Sequence, residues 1–67
     1  MRLSKILKRA RLENNLTMDE LANRLNKKYE LKINKSMISK WENGSSDPSL
    51  VFIQSYAKEF NLDMNEL

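Results

Sequence analysis

The chain has no cysteine and no histidine, and only one glycine and one proline in 67 residues. Without cysteine there can be no disulfide and no thiolate metal site. Without histidine, zinc would be left with carboxylates alone, so neither a metal nor any other cofactor is expected. Catalysis would fall to Asp, Glu, Ser, Tyr or Lys. None of these sits in a recognisable cleft motif, so neither an enzyme nor a small-molecule substrate is expected. No apolar run approaches the roughly 18 residues of a membrane span, and nothing resembles a secretion signal. A cytoplasmic protein with no membrane partner is expected.

What is present is helix-forming. Apolar residues make up 40% of the chain, enough for one compact core, and the expected organisation is a single all-α domain over residues 1–67. The net charge of +3 hides an asymmetry. Residues 1–43 carry eleven Lys/Arg against five Asp/Glu, whereas residues 44–67 carry one Lys against four acids. A basic N-terminal two-thirds points to an anionic partner for one face, although scattered lysines also suit any soluble helical domain.

Leu3, Ile6, Leu7 and Ala10 recur at helical spacing and predict a first helix over about Leu3–Asn14, with Arg2, Lys5, Lys8 and Arg9 on its other face. Thr17-Met18-Asp19-Glu20 has the form of a capping box, in which Glu20 reaches back to the Thr17 amide. The helix that follows should bury Leu21, Ala22 and Leu25. Tyr29 stands four after Leu25, so this second helix is expected to run on by a turn before the chain doubles back. Further on, Pro48 suits a first helical position with Asp47 capping. That predicts a fourth helix over about Ser49–Glu59 burying Leu50, Ile53, Tyr56, Ala57 and Phe60. Asp63-Met64-Asn65-Glu66 repeats the capping-box pattern at the start of a final turn or short helix. No strand signal is convincing.

The segment Asn34–Gly44 is the most informative. Asn34 is a good N-cap, Ile38 and Trp41 face one way into a core, and Asn43-Gly44 supplies a left-handed stop. Lys35, Ser36, Ser39 and Lys40 are left on the outer face, with no acid among them. A basic, hydroxyl-rich helix face above a buried seam suits a polyanion whose base edges carry donors and acceptors, as in the major groove of DNA.

Leu16-Thr17, Glu20-Leu21-Ala22, Ile38-Ser39-Lys40-Trp41-Glu42-Asn43-Gly44 and Pro48-Ser49-Leu50 together resemble the Cro/repressor-type (XRE-like) helix-turn-helix domains of phage and bacterial regulators. The resemblance runs from Leu7 to Leu67. It implies a five-helix, lambda-repressor-like domain that presents its third helix to the major groove of double-stranded DNA, usually as a homodimer on a near-palindromic operator. It also implies base contacts from Lys35, Ser36, Ser39 and Lys40, with a solvated surface residue as the alternative at each and a phosphate contact as a further alternative for Lys40. Phosphate contacts are implied for Asn34, Asn43 and the start of helix 2 at Thr17 and Met18, and a structural ion pair for Arg11 and Glu42. Trp41 is read as core, with base stacking as the sharper alternative. Met37 either packs beneath the helix or touches a thymine methyl.

Three departures from the family pattern matter. Met18 replaces the usual Gln, so only backbone amides remain there to hold a phosphate. The loop after Asn43-Gly44 is Ser45-Ser46-Asp47 and lacks the usual basic residue. Between Leu25 and Ile38 lie several more residues than the family's compact turn, within Asn26–Ile33, much as in a subset of Gram-positive prophage-type repressors. Lys27, Lys28 and Lys32 of that insertion either meet backbone phosphates, replacing the missing basic loop, or form a solvated helix extension. Leu12, apolar on the outer side of helix 1, marks a contact with the long connection or with a second protomer.

The function this reading predicts is a sequence-specific transcriptional regulator, a repressor acting by operator occlusion. An antitoxin or other protein-interaction module on the same fold is the alternative.

Overall fold

The computed structural model describes residues 2–66, with side chains for residues 3–65. Four α-helices follow one another: α1 (Arg2–Glu13), α2 (Met18–Tyr29), α3 (Lys35–Asn43) and α4 (Leu50–Phe60). No strand occurs among the described residues, and no described helix is long and apolar enough to cross a membrane. Among the described residues there are four α-helices, where the resemblance implied five. After Phe60 the chain turns left-handed at Asn61 and forms a single 3-10 turn over Met64–Glu66. Asp63 starts this turn by accepting from the Asn65 amide two residues on, at 2.9 Å. The side chain of its capping-box partner Glu66, like that of Arg2, lies outside the described side chains.

The helices form where local chemistry places them. Thr17 Oγ1 accepts from the Glu20 amide and the Glu20 carboxylate accepts from the Thr17 amide, closing the capping box of α2. Glu20 is thereby held below the usual carboxylate range, chiefly by the hydrogen bond from the Thr17 backbone. Asn34 caps α3 by accepting from the Met37 amide at 2.9 Å, and Gly44 ends it at φ 82°. The prolonged α2 ends at Tyr29, one turn past Leu25, as its apolar spacing predicts.

The core is one cluster of Leu7, Leu21, Ala22, Leu25, Ile33, Ile38, Trp41 and Tyr56. An aromatic row crosses it. The Trp41 ring lies 5.2 Å from Phe52 and 6.2 Å edge-on from Tyr56, and Tyr56 lies 6.1 Å from Phe60. Trp41 is therefore a core residue, 4% exposed, and offers no platform for a base.

The start of α4 corrects the sequence reading. Pro48 is buried in an extended segment rather than at the first helical position. Ser49 takes the cap position without a side-chain hydrogen bond, and α4 begins at Leu50. The proline ring is buried ahead of the helix, which starts one residue later than the expected Ser49. Leu50 then falls on the outer side, 61% exposed, while Phe52 packs on Trp41.

Candidate nucleic-acid interface

Helix α3 is anchored from beneath by Ile38 and Trp41. Successive residues turn by about 100°, so Ser36, Ser39, Lys40 and Asn43 share the opposite stripe, with Lys35 in the first turn beside it. Lys35, Ser36 and Lys40 are exposed and Ser39 is half-buried. None of these four side chains has a hydrogen-bond or ion-pair partner among the described residues. Met37 is half-buried and packs against the core.

Glu42, the one acid of α3, is turned away from that stripe. Arg11 Nε donates to Glu42 Oε2 at 2.7 Å and Arg11 Nη2 to Oε1 at 2.9 Å, a two-point ion pair between α1 and α3. The paired side chains are only 11% and 4% exposed. Arg11 Nη1 also donates to the Leu16 carbonyl at 2.9 Å, tying the α1–α2 turn to the same point. The hydrogen bond to Glu42 raises the Arg11 pKa further. The acid is neutralised inside, and the outer face of α3 carries positive charge alone.

The flanking groups are less free than their chemistry suggests. Asn43 Oδ1 accepts from both the amide and the hydroxyl of Ser45. The amides of Ser45 and Ser46 also turn back to the Lys40 carbonyl, at 3.0 and 3.3 Å. The loop after α3 thus spends most of its donors on closing the helix. At the start of α2 both polar groups of Thr17 serve the capping box. Met18 is half-buried and packs on the core. The amides of Met18 and Asp19 remain unpaired, as expected in a first turn, but Asp19 and Glu20 beside them oppose an anion.

The α2 extension divides its lysines. Lys28 Nζ lies 2.9 Å from Glu59 of α4, and Arg24 lies 3.6 Å from the same carboxylate. The Tyr29 hydroxyl donates to Glu59 at 3.2 Å. The ion pair raises the Lys28 pKa, and partial desolvation raises that of Tyr29. Lys27 and Lys32 are exposed and have no such partner. Sequence reasoning missed Glu59 as the hub of this network because it lies 30 residues from Tyr29. It also missed Asn26, whose carboxamide holds the Ile33 backbone at both its amide and its carbonyl, each at 2.7 Å. Leu12 is 53% exposed.

Two successive helices, one capped and buttressed, the other rooted in the core with an acid-free outer face, define a helix-turn-helix DNA-binding domain. The family model described as helix-turn-helix matches residues 7–67, and the chain belongs to this Cro/repressor-like (XRE) family of DNA-binding transcriptional regulators. No curated protein and no solved structure matches the chain.

Proposed function

We propose that this protein is a sequence-specific transcriptional repressor of cytoplasmic DNA that acts by covering its operator. The observation that carries the reading is the outer face of α3. Lys35, Ser36, Ser39 and Lys40 are unpartnered there, and the helix's only acid is locked inward by Arg11. Lysine donates to guanine O6 and N7, and serine pairs with several bases, so this set reads base edges. Lys27, Lys32, the Asn34 and Asn43 side chains and, next to Thr17 in its capping box, the Met18 amide at the α2 start supply the phosphate contacts that set register. Lys28, held by Glu59, contributes less than its neighbours.

The protein works as a homodimer on a near-palindromic site. The outer side of α4 and the turn that follows it support this: Leu50 and Val51 of α4 are 61% and 56% exposed, and Met64 of the 3-10 turn is 42% exposed. Two adjoining grooves of about 190 and 270 Å³ share Gln54 and Lys58 there. Sedimentation equilibrium of wild type against Val51→Glu tests this surface, and a wild type that stays monomeric on its operator removes the dimer.

In-vitro selection of bound duplexes tests the function itself. The wild type should enrich one motif, and Lys35→Ala combined with Ser36→Ala should enrich a different or degenerate one. Binding that follows salt alone and enriches no motif would overturn specific repression.

A further inference from the structure

Asparagine is a weaker helix former than the Leu, Lys and Arg residues around it, so Asn26 inside α2 calls for a tertiary reason. Its half-buried side chain supplies one. Asn26 Oδ1 accepts from the Ile33 amide and Nδ2 donates to the Ile33 carbonyl, both at 2.7 Å. Its own carbonyl accepts from the amide of Glu30 and, at 3.2 Å, from that of Leu31. One residue thus holds the α2–α3 connection at its start through the backbone and at its end through the side chain. No other hydrogen bond to the Ile33 backbone occurs among the described residues. Ile33 is 4% exposed, and the next three residues are the α3 cap Asn34 and then Lys35 and Ser36.

We infer that Asn26 is a positioning residue for DNA discrimination: by clamping the Ile33 main chain it sets where α3 begins, and so where Lys35 and Ser36 meet base edges. This rests on α3 being the base-reading helix. Hydrogen bonds to base edges survive only within a narrow range of distance and angle, whereas contacts from flexible lysines to phosphates tolerate small displacements and carry no sequence information. Loss of the clamp therefore lowers specificity before it lowers general affinity.

The clamp needs a donor and an acceptor side by side. Alanine offers neither. An ionised aspartate keeps the acceptor and sets a negative charge against the Ile33 carbonyl, while a protonated one restores the donor. Partial burial and the facing Ile33 carbonyl raise the pKa of such a carboxyl against the lowering effect of the Ile33 amide, so Asn26→Asp should regain the clamp as pH falls. The chain has no histidine, so no wild-type side chain has an ordinary pKa between about pH 5 and 8.

The test compares wild type, Asn26→Ala and Asn26→Asp on the motif the wild type enriches and on a scrambled duplex of equal length, at one salt concentration. Far-UV circular dichroism gives the folded fraction under the same conditions. In Asn26→Ala the ratio of the two affinities should fall about tenfold or more, the scale of one lost base contact, with scrambled-duplex affinity unchanged. In Asn26→Asp the ratio should recover toward wild type as pH drops from about 7 to 5, while the wild-type ratio stays flat. A wild-type ratio in folded Asn26→Ala, or a ratio in Asn26→Asp that ignores pH, overturns the assignment. Should Asn26→Ala not fold, the aspartate series decides alone. A wild type that enriches no motif instead removes the base-reading helix, an outcome distinct from failure of the clamp.

Discussion

Arg11 joins three parts of the molecule through one guanidinium: α1, the Leu16 carbonyl of the first turn, and Glu42 of α3. The pair is almost wholly withdrawn from water. Removing one partner therefore leaves a desolvated charge, whereas removing both leaves none. Glu42→Ala should cost about 3–5 kcal/mol, a large share of the stability of a domain this small. Replacing both residues, Arg11→Met with Glu42→Leu, should cost markedly less than the two single changes added together. Urea unfolding followed by Trp41 fluorescence measures both, and additive costs would show that the pair does not act as a unit. Beside it, the Tyr56 hydroxyl is fully buried and has no hydrogen-bond partner among the described residues, and burial pushes its ionisation well up. Tyr56→Phe should be neutral or stabilising, by up to about 1–3 kcal/mol, because it removes an unpaired polar atom and keeps the ring. A clear loss of stability in the same urea experiment would mean that the hydroxyl is satisfied in solution.

At the scale of elements, every helix is followed by a left-handed residue: Asn15 at φ 57°, Glu30 at 54°, Gly44 at 82° and Asn61 at 55°. Asparagine and glycine tolerate that region, whereas glutamate adopts it only at a steric cost. Glu30→Gly should therefore raise stability by about 1 kcal/mol, visible as a rise of roughly 4–8 °C in Tm for a domain of this size. No rise would show that the lost chain stiffness offsets the relieved strain. The Thr17, Asn34 and Gly44 boundaries were legible in the sequence because each cap is decided within three or four residues. The prolonged α2 was legible because Tyr29 repeats the spacing of Leu21 and Leu25. The start of α4 was not. Pro48 fits a first helical turn locally, but in the fold it is buried ahead of the helix and Leu50 faces solvent.

At the scale of the whole molecule, the lysines of the α2 extension separate by what faces them. Lys27→Ala and Lys32→Ala should each reduce the slope of log affinity against log salt by about one, uniformly across sequences. Lys28→Ala should change the slope less, because Glu59 already compensates that charge. Equal effects of all three would mean that DNA outcompetes Glu59 for Lys28. Salt titrations on the selected duplex decide between these outcomes.

The sequence by itself determined the all-helical class, the caps of α2 and α3, the core stripe under α3 and the acid-free set of Lys35, Ser36, Ser39 and Lys40. These follow from periodicity and from contacts within one or two helical turns. Only the tertiary structure decided that four helices and a 3-10 turn close the domain rather than five helices, that Leu50 faces out, that Lys28 belongs to Glu59, and that Asn26 holds the entry to α3. Each of these depends on what lies across the core or across a loop. Residues that meet there are separated by lengths of chain over which local propensity carries no information.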